Sequence, residues 1–174
     1  MGTKEIISNY YIWGQFNKQS LFAIKKIKNQ VEKELKGPQF EPHLTLSGPI
    51  TKFNSDLTMK LVQISNEINP VKIYSDGIVI KNLFFQSLFI KIKKENKLIN
   101  LKNKIDQRLL IKSKFFYPHI SLHYGDESKI DKEIVRDKLI FPNEELKINK
   151  ICLVYITRYI SSWKIIESCL LKKK

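Results

Sequence analysis

The sequence has few of the residues that hold small proteins together or bind metal ions. Its 174 residues include two cysteines and three histidines. Cys152 and Cys169 are too few for a disulfide framework and lack the Cys-x-x-Cys spacing of a zinc site. A chain of this length buries a core without such support. We therefore expect a single domain over residues 1–174 that needs no metal and no cofactor.

Long apolar runs are also missing. The most apolar stretches, around 83–92 and 151–160, have the length of strands, whereas a membrane helix needs about 20 apolar residues. Residues 1–6 lack the apolar segment of a signal peptide. We therefore expect a cytoplasmic protein, in a reducing compartment, that makes no membrane contact and is a monomer.

Arginine is scarce although the chain is strongly basic. Its formal net charge is +14, yet the only arginines are Arg108, Arg136 and Arg158. A positive charge attracts polyanions, but bidentate recognition of phosphates and bases favours arginine. The lysines are scattered along the chain. The net charge alone therefore does not decide whether the lysines bind a nucleic acid or another phosphate-bearing ligand, or reflect codon bias.

The pattern of apolar residues predicts helices and strands that alternate irregularly. Helical spacing predicts helices at Gln19–Leu35, Ser55–Ile68, Asn96–Ile111 and Lys129–Lys138. Strands are predicted at Ser8–Phe16, Pro42–Leu46, Val71–Ile80, Leu83–Lys93, His119–Tyr124, Leu146–Thr157 and Ile160–Leu171. The Gly-rich turns of a nucleotide-binding parallel sheet are absent from this sequence. The fold class is therefore expected to be α+β with antiparallel strands.

The most informative feature is a short motif that occurs twice. Phe40-Glu41-Pro42-His43-Leu44-Thr45-Leu46 is followed 76 residues later by Tyr117-Pro118-His119-Ile120-Ser121-Leu122. Each copy contains Pro, His, an aliphatic residue, a hydroxyl residue and Leu. On a strand, residues i and i+2 share one face about 6.5–7 Å apart. Each copy would therefore present one imidazole and one hydroxyl to a common cleft.

Two such pairs suit the chemistry of a phosphodiester. In-line displacement at phosphorus needs a base at the attacking oxygen and an acid at the departing oxygen, on opposite sides of the phosphorus. Histidine serves either role near neutral pH, each worth about 10²–10⁴-fold in rate. The hydroxyls of Thr45 and Ser121 can donate hydrogen bonds to the non-bridging oxygens. His43, His119, Thr45 and Ser121 are therefore the predicted catalytic residues.

The paired motif resembles that of the 2H phosphoesterase superfamily. The flanking segments Phe85-Gln86-Ser87-Leu88-Phe89, His123-Tyr124-Gly125, Trp163-Lys164-Ile165-Ile166 and Tyr10-Tyr11-Ile12-Trp13 resemble its cyclic phosphodiesterase branch. The resemblance implies a bilobed, pseudo-twofold fold in which each lobe is an antiparallel sheet with helices outside. It also implies an active-site cleft between the lobes and a metal-free acid–base pair, His43 and His119.

Aromatic side chains near the motifs are candidates for substrate binding. Tyr124 matches the position at which the resembling enzymes carry an aromatic against the base or ribose. Trp13, Tyr11 and Phe84 are candidates for a stacking wall, because bases stack on aromatic side chains without regard to sequence. His123 shares strand parity with His119 and is a further candidate at the cleft edge. The favoured alternative is that a bulge or the end of the strand near Gly125 turns it to solvent instead.

The expected activity is hydrolysis of a cyclic phosphodiester. By the resemblance, the substrate is a 2′,3′-cyclic nucleotide or ADP-ribose 1″,2″-cyclic phosphate. One alternative is a phosphodiesterase acting on a short oligonucleotide, such as an RNA end, 2′-5′ oligoadenylate or a cyclic oligonucleotide immune signal. A second alternative, from a different class, is a non-catalytic RNA-binding module, which would bind without turnover.

Overall fold

The structure, a computed structural model, describes residues 9–112, 115–140 and 145–172. Ser8, the first residue of the first predicted strand, and the N-terminal residues 1–6 lie outside these ranges. The helices are α1 (Lys18–Glu34), α2 (Asp56–Asn66), α3 (Asn96–Leu109) and α4 (Lys129–Lys138). The strands are β1 (Asn9–Phe16), β2 (Leu44–Ile50), β3 (Val71–Ile80), β4 (Leu88–Ile92), β5 (His119–His123), β6 (Glu145–Ile156) and β7 (Lys164–Leu170).

The strands form one antiparallel sheet, in the order β1-β2-β5-β4-β3-β6-β7. Strand β6 is long enough to pair with three neighbours. One edge pairs with β1, and along the other edge residues 145–148 pair with β3 and residues 150–155 pair with β7. Because β1 also pairs with β2, the first six strands close into a ring. The α+β class with antiparallel pairing is confirmed.

The helices cover one face of the sheet, and their ends follow from local sequence. Asn17 caps α1 by accepting a hydrogen bond from the Ser20 amide at 3.0 Å, and Ser128 caps α4 by accepting from the Asp131 amide at 3.1 Å. The apolar stripes of the helices join the strands in the main core. In the described ranges, no helix combines the length and apolar character that a membrane crossing requires.

The other face of β1 and β6 carries a second, smaller apolar cluster. Ile12 belongs to the main core, whereas its neighbour Trp13 packs with Cys152 and Val154. Alternation along a strand explains this division, since successive side chains point to opposite faces. Tyr11, Ile156 and Trp163 pack against the smaller cluster. The sheet therefore presents an aromatic surface on this face.

The four predicted helices are confirmed, with ends that differ by at most two residues. Two predicted strands are shorter than expected because turns of 3₁₀ helix occupy their first residues, at Phe84–Gln86 and Ile160–Ser162. The strand predicted at Pro42–Leu46 begins at Leu44 and continues to Ile50. The first of these corrections matters for the site, because the turn at 84–86 decides which phenylalanine faces it.

Candidate active site

The two histidine motifs lie on neighbouring strands. In the antiparallel pair formed by β2 and β5, Leu44 is opposite Ile120. Moving one residue in each direction from this pair places Thr45 opposite His119 and His43 opposite Ser121. Leu44 and Ile120 are fully buried in the main core. The histidines and hydroxyl residues therefore face the other side of the sheet together.

All four predicted catalytic residues line one cavity of about 370 Å³, here called the first cavity. Its lining consists of Tyr11, His43, Thr45, Phe85, Gln86, His119, Ser121, Tyr124, Ile156 and Trp163. In the register described above, His43 and His119 are diagonal neighbours, which places their Cα atoms about 7–8 Å apart. The two imidazoles therefore reach the same cavity from neighbouring strands.

Each imidazole is held by the same contact. Nδ1 of His43 lies 2.7 Å from the carbonyl oxygen of Glu41, and Nδ1 of His119 lies 2.8 Å from that of Tyr117. A carbonyl oxygen only accepts hydrogen bonds, so Nδ1 carries the proton in both rings. Nε2 is then the acceptor in the neutral ring and a donor in the cation. Each histidine is thereby fixed in the tautomer that suits acid–base chemistry at Nε2.

The two histidines differ in their electrostatic surroundings. Burial lowers the pKa of His43 to about 4, opposed by its hydrogen bond to Glu41 and assisted by the nearby His119. The pKa of His119 is also lowered, mainly by burial, and the Lys81 ammonium group acts in the same direction. Both rings are therefore neutral at pH 7 when no anion is bound.

Trp13 lies against His43. The two rings are parallel within 7°, with centroids 3.5 Å apart, and Trp13 is 3% exposed. The indole therefore covers one face of the imidazole and contributes to its burial. Trp13 does not line the first cavity, so the structure places this predicted stacking residue behind His43.

The hydroxyl of Ser121 lies among polar groups on one side of the first cavity. It donates a hydrogen bond of 3.4 Å to the carbonyl oxygen of Phe85 and interacts with the hydroxyl of Tyr124. Burial raises the pKa of Tyr124 to about 12, and the contact with Ser121 opposes this shift. Tyr124 therefore remains protonated and is available as a hydrogen-bond donor.

Phe85, rather than the predicted Phe84, contributes to the aromatic wall of the first cavity. Residues 84–86 form a 3₁₀ turn instead of the expected strand, and within this turn Phe85 lines the cavity whereas Phe84 does not. Phe84 lies outside, 6.4 Å from the ring of Tyr124. Phe85 is 47% exposed and stacks on Trp163 with centroids 6.1 Å apart.

His123 lies outside the first cavity, contrary to its strand parity. On β4, the adjacent residues Leu88 and Phe89 are opposite His123 and Ser121, so β5 contains a bulge at this point. The bulge turns His123 away, and its Nε2 lies 2.8 Å from a carboxylate oxygen of Glu127. The ring is 2% exposed, so the expectation that a bulge would turn it to solvent is also wrong: His123 lies in the protein interior.

Sequence reasoning did not name four residues that line the first cavity: Phe85, Gln86, Ile156 and Trp163. Phe85, Gln86 and Trp163 belong to the segments that resemble the cyclic phosphodiesterase branch, but the sequence did not indicate that these three side chains line the cavity. Ile156 gave no signal, because one more aliphatic residue in a strand is typical of any core. Tyr11, in contrast, lines the cavity as predicted.

The described residues contain no group of three or more His, Cys, Asp or Glu side chains placed to hold a metal ion. The polar groups of the side chains that line the first cavity are imidazoles, the amide of Gln86, the hydroxyls of Thr, Ser and Tyr, and the indole N–H of Trp163, which donates to the Thr157 carbonyl oxygen. These groups suit a phosphate group, since they offer hydrogen-bond donors and two titratable nitrogens.

Several solved structures have the same fold as this chain. A crystal structure described as a phosphoesterase is 12% identical with a TM-score of 0.61, covering 96% of this chain and 100% of that one. Escherichia coli LigT complexed with 3′-AMP is 12% identical with a TM-score of 0.60, covering 95% and 99%. TT0787 of Thermus thermophilus is 13% identical with a TM-score of 0.59, covering 95% and 99%.

A comparison of the sequence with curated proteins found no match. The family model described as "cyclic phosphodiesterase-like protein" matches residues 12–171, which is almost the whole chain. The match includes both histidine motifs and every residue that lines the first cavity except Tyr11. The chain therefore belongs to the cyclic phosphodiesterase-like family of the 2H phosphoesterase superfamily, whose members are phosphoesterases.

Proposed function

We propose that the protein hydrolyses a cyclic phosphodiester of a nucleotide, without a metal ion, by acid–base catalysis from His43 and His119. One observation carries this proposal. The two imidazoles face the same cavity from neighbouring strands, each with its Nδ1 bound to a backbone carbonyl oxygen. The positions of Thr45 and Ser121 between them support a phosphate group as the occupant.

In the proposed reaction, Nε2 of one histidine removes a proton from a water molecule as the water oxygen bonds to phosphorus. The bond from phosphorus to one ribose oxygen breaks, and Nε2 of the other histidine donates a proton to that oxygen. The product is a phosphate monoester with one free ribose hydroxyl. Each proton transfer contributes about 10²–10⁴-fold in rate.

We assign the base to His43 and the acid to His119. With a pKa lowered to about 4, His43 is neutral at pH 7 and its Nε2 accepts a proton. His119 is less buried, and an anionic phosphate beside it raises its pKa toward the cationic form that an acid requires. The hydroxyls of Thr45 and Ser121 donate hydrogen bonds to the non-bridging oxygens as their negative charge grows.

The aromatic wall of the first cavity supports a nucleotide as the substrate. Tyr11, Phe85, Tyr124 and Trp163 line it together with the catalytic groups. A base stacked on one aromatic side chain gains about 1–3 kcal/mol. The complex of LigT with 3′-AMP, a protein of the same fold, is consistent with this substrate class. The preferred substrate is a 2′,3′-cyclic nucleotide or ADP-ribose 1″,2″-cyclic phosphate.

The proposal is tested by turnover of a 2′,3′-cyclic nucleotide in excess chelator, with the products followed by phosphorus NMR. We expect the wild-type protein to open the ring, and His43→Ala or His119→Ala to lower kcat by about 10²–10⁴-fold. His123→Gln is the matched control, because His123 lies outside the first cavity and glutamine keeps a polar group for Glu127. Retained activity in both alanine variants would refute the two-histidine mechanism.

A short oligonucleotide is a second candidate substrate, supported by the net charge of +14. A ligand with several phosphates binds less tightly as salt increases, and a mononucleotide shows little of this effect. Turnover compared at low and high salt therefore distinguishes the two. Binding without turnover of either would favour the RNA-binding alternative.

We also propose that the chain acts as a monomer and a single domain in the cytoplasm. The closed ring of strands supports one cooperative unit. Cys152 and Cys169 are buried free thiols, as expected in a reducing compartment. Gel filtration of the 20.5 kDa chain tests the monomer.

A further inference from the structure

A second cavity adjoins the first one. It has a volume of about 500 Å³, within the range of small-molecule sites. Trp163 lines both cavities, so its ring forms a shared wall. Trp13 and Glu41 also line the second cavity. Since Trp13 stacks on His43 and the Glu41 carbonyl oxygen holds its Nδ1, the second cavity lies directly behind His43.

The walls of the second cavity combine aromatic rings with polar groups. Trp13, Phe40 and Trp163 supply the rings, and Gln39, Ser161 and Lys164 supply an amide, a hydroxyl and an ammonium group. The first cavity has the same combination of an aromatic wall with convergent polar groups. A flat, aromatic ligand with hydrogen-bonding edges fits such walls, because its faces stack while its edges bond. A nucleobase is a ligand of this kind.

The neighbourhood of Trp13 adds an independent observation. Its Nε1 is buried and has no hydrogen-bond partner within the part of the chain that the structure describes. A buried N–H without an acceptor is unfavourable. Because Trp13 lines the second cavity, the indole that carries this unpaired donor is part of the cavity wall.

We propose that the second cavity is a subsite for a second nucleoside, the one joined through a phosphate to the nucleotide that reacts in the first cavity. The proposal rests on the proposed function, because the reacting nucleotide occupies the first cavity. The neighbouring nucleoside lies beyond Trp163, and Lys164 neutralises a phosphate that joins the two. This geometry gives part of the basic charge a role that a mononucleotide would not use.

Binding can be measured without turnover, because the chain has only two tryptophans, Trp13 and Trp163, and both line the second cavity. Quenching of their fluorescence is titrated with 3′-AMP and with the dinucleotide ApAp, which carries the same terminal 3′-phosphate, and calorimetry verifies the affinities. We expect ApAp to bind about 5–150-fold more tightly than 3′-AMP, the range contributed by one additional stacked base. The measured quantity is the ratio of the two affinities, because a variant that weakens the binding of both ligands equally leaves this ratio unchanged.

Two variants test where the additional affinity arises. Lys164→Glu reverses the charge at the second cavity, and Ser161→Phe fills it from an exposed position. Both should reduce the ratio toward one. Lys97→Glu on α3, an exposed residue that lines neither cavity, makes the same charge change and should keep the wild-type ratio.

Equal affinities of wild-type protein for 3′-AMP and ApAp would overturn the second subsite. A ratio that both cavity variants leave unchanged would also overturn it. Neither result affects the proposed hydrolysis, which is tested by turnover of a cyclic mononucleotide. Conversely, absence of turnover would refute the proposed function while the binding ratio still decides the subsite.

Discussion

The two histidine motifs share a backbone arrangement but not an environment. His43 and His119 each place Nδ1 within 2.8 Å of the carbonyl oxygen two residues earlier. Around His43, however, the indole of Trp13 covers the ring at 3.5 Å. Around His119, the ring of Phe89 lies edge-on at 5.1 Å. The two imidazoles therefore have different surroundings, because an indole covers the face of His43 whereas His119 meets the ring of Phe89 edge-on.

A positively charged side chain, that of Lys81, lies near His119. The Lys81 ammonium group lies 4.0 Å above the ring of Tyr117 and donates a hydrogen bond to Gln86, a residue of the first cavity. It also lowers the pKa of His119. When a phosphate binds, the same charge attracts the anion toward His119. The repeated motif thus fixes the tautomer and orientation of each ring, whereas the surroundings give the two rings a different burial and a different neighbouring charge.

The largest expected effect separates the acid from the base. A 4-nitrophenyl ester of a nucleotide has a leaving group that departs without protonation, whereas the ribose oxygen of a cyclic phosphate needs an acid. On the cyclic substrate, both His43→Ala and His119→Ala should lose about 10²–10⁴-fold in kcat. On the aryl ester, His119→Ala should recover to within about tenfold of wild type, and His43→Ala should not.

The leaving-group comparison contains its own control, since each variant is measured on both substrates. If His43→Ala recovers on the aryl ester and His119→Ala does not, His43 is the acid and His119 is the base. Equal recovery of both variants would mean that the different environments of the two rings do not separate acid from base. Stopped-flow absorbance follows the nitrophenolate, and phosphorus NMR follows the cyclic substrate.

The next effect compares the two hydroxyls. Removing one preorganised donor to a developing oxyanion costs about 10²–10³-fold in kcat. We expect losses of this size for Thr45→Val and for Ser121→Ala. Thr45→Ser and Ser121→Thr keep the hydroxyl and serve as controls. Steady-state kinetics on a cyclic nucleotide measures the four variants, and full activity of Thr45→Val would remove Thr45 from the proposed mechanism.

The grouping of the two histidines and the two hydroxyl residues in one cavity could be predicted from sequence because its geometry is local. A His and a hydroxyl residue at i and i+2 on a strand share a face whatever the rest of the fold does. The pairing of Leu44 with Ile120 then brings the two local arrangements together. The helices were predictable for a similar reason, since their apolar stripes and caps are read within one segment.

The residues around this group could not be predicted, because they depend on small departures from regular strands. A 3₁₀ turn exchanges Phe84 for Phe85, and a bulge in β5 removes His123 from the site. Neither has a distinctive sequence signal. The stack of Trp13 on His43 depends on the pairing of β1 with β2, which is a contact between distant segments. The alternation of side chains along one strand therefore predicts which motif residues share a face, but it does not predict which residues surround them.

The smallest expected effect concerns stability against pH. The pKa of His43 is lowered from 6.5 to about 4 in the folded protein, chiefly by burial. The unfolded chain therefore binds a proton at a higher pH than the folded chain. Stability is complete above the unfolded pKa and is lost as the pH falls toward the folded value. Between pH 7 and 4.5, His43 alone should reduce the free energy of unfolding by about 2 kcal/mol.

Urea denaturation at these two pH values, for wild type and His43→Gln, isolates this contribution, because the other titrating groups are common to both proteins. The difference in stability between them should shift by about 2 kcal/mol in favour of the variant as the pH falls. His119→Gln should show a smaller shift, since His119 is only half-buried and meets Phe89 edge-on. Equal shifts in both variants would mean that the two imidazoles are buried alike, and the comparison on which the assignment of base and acid rests would fail.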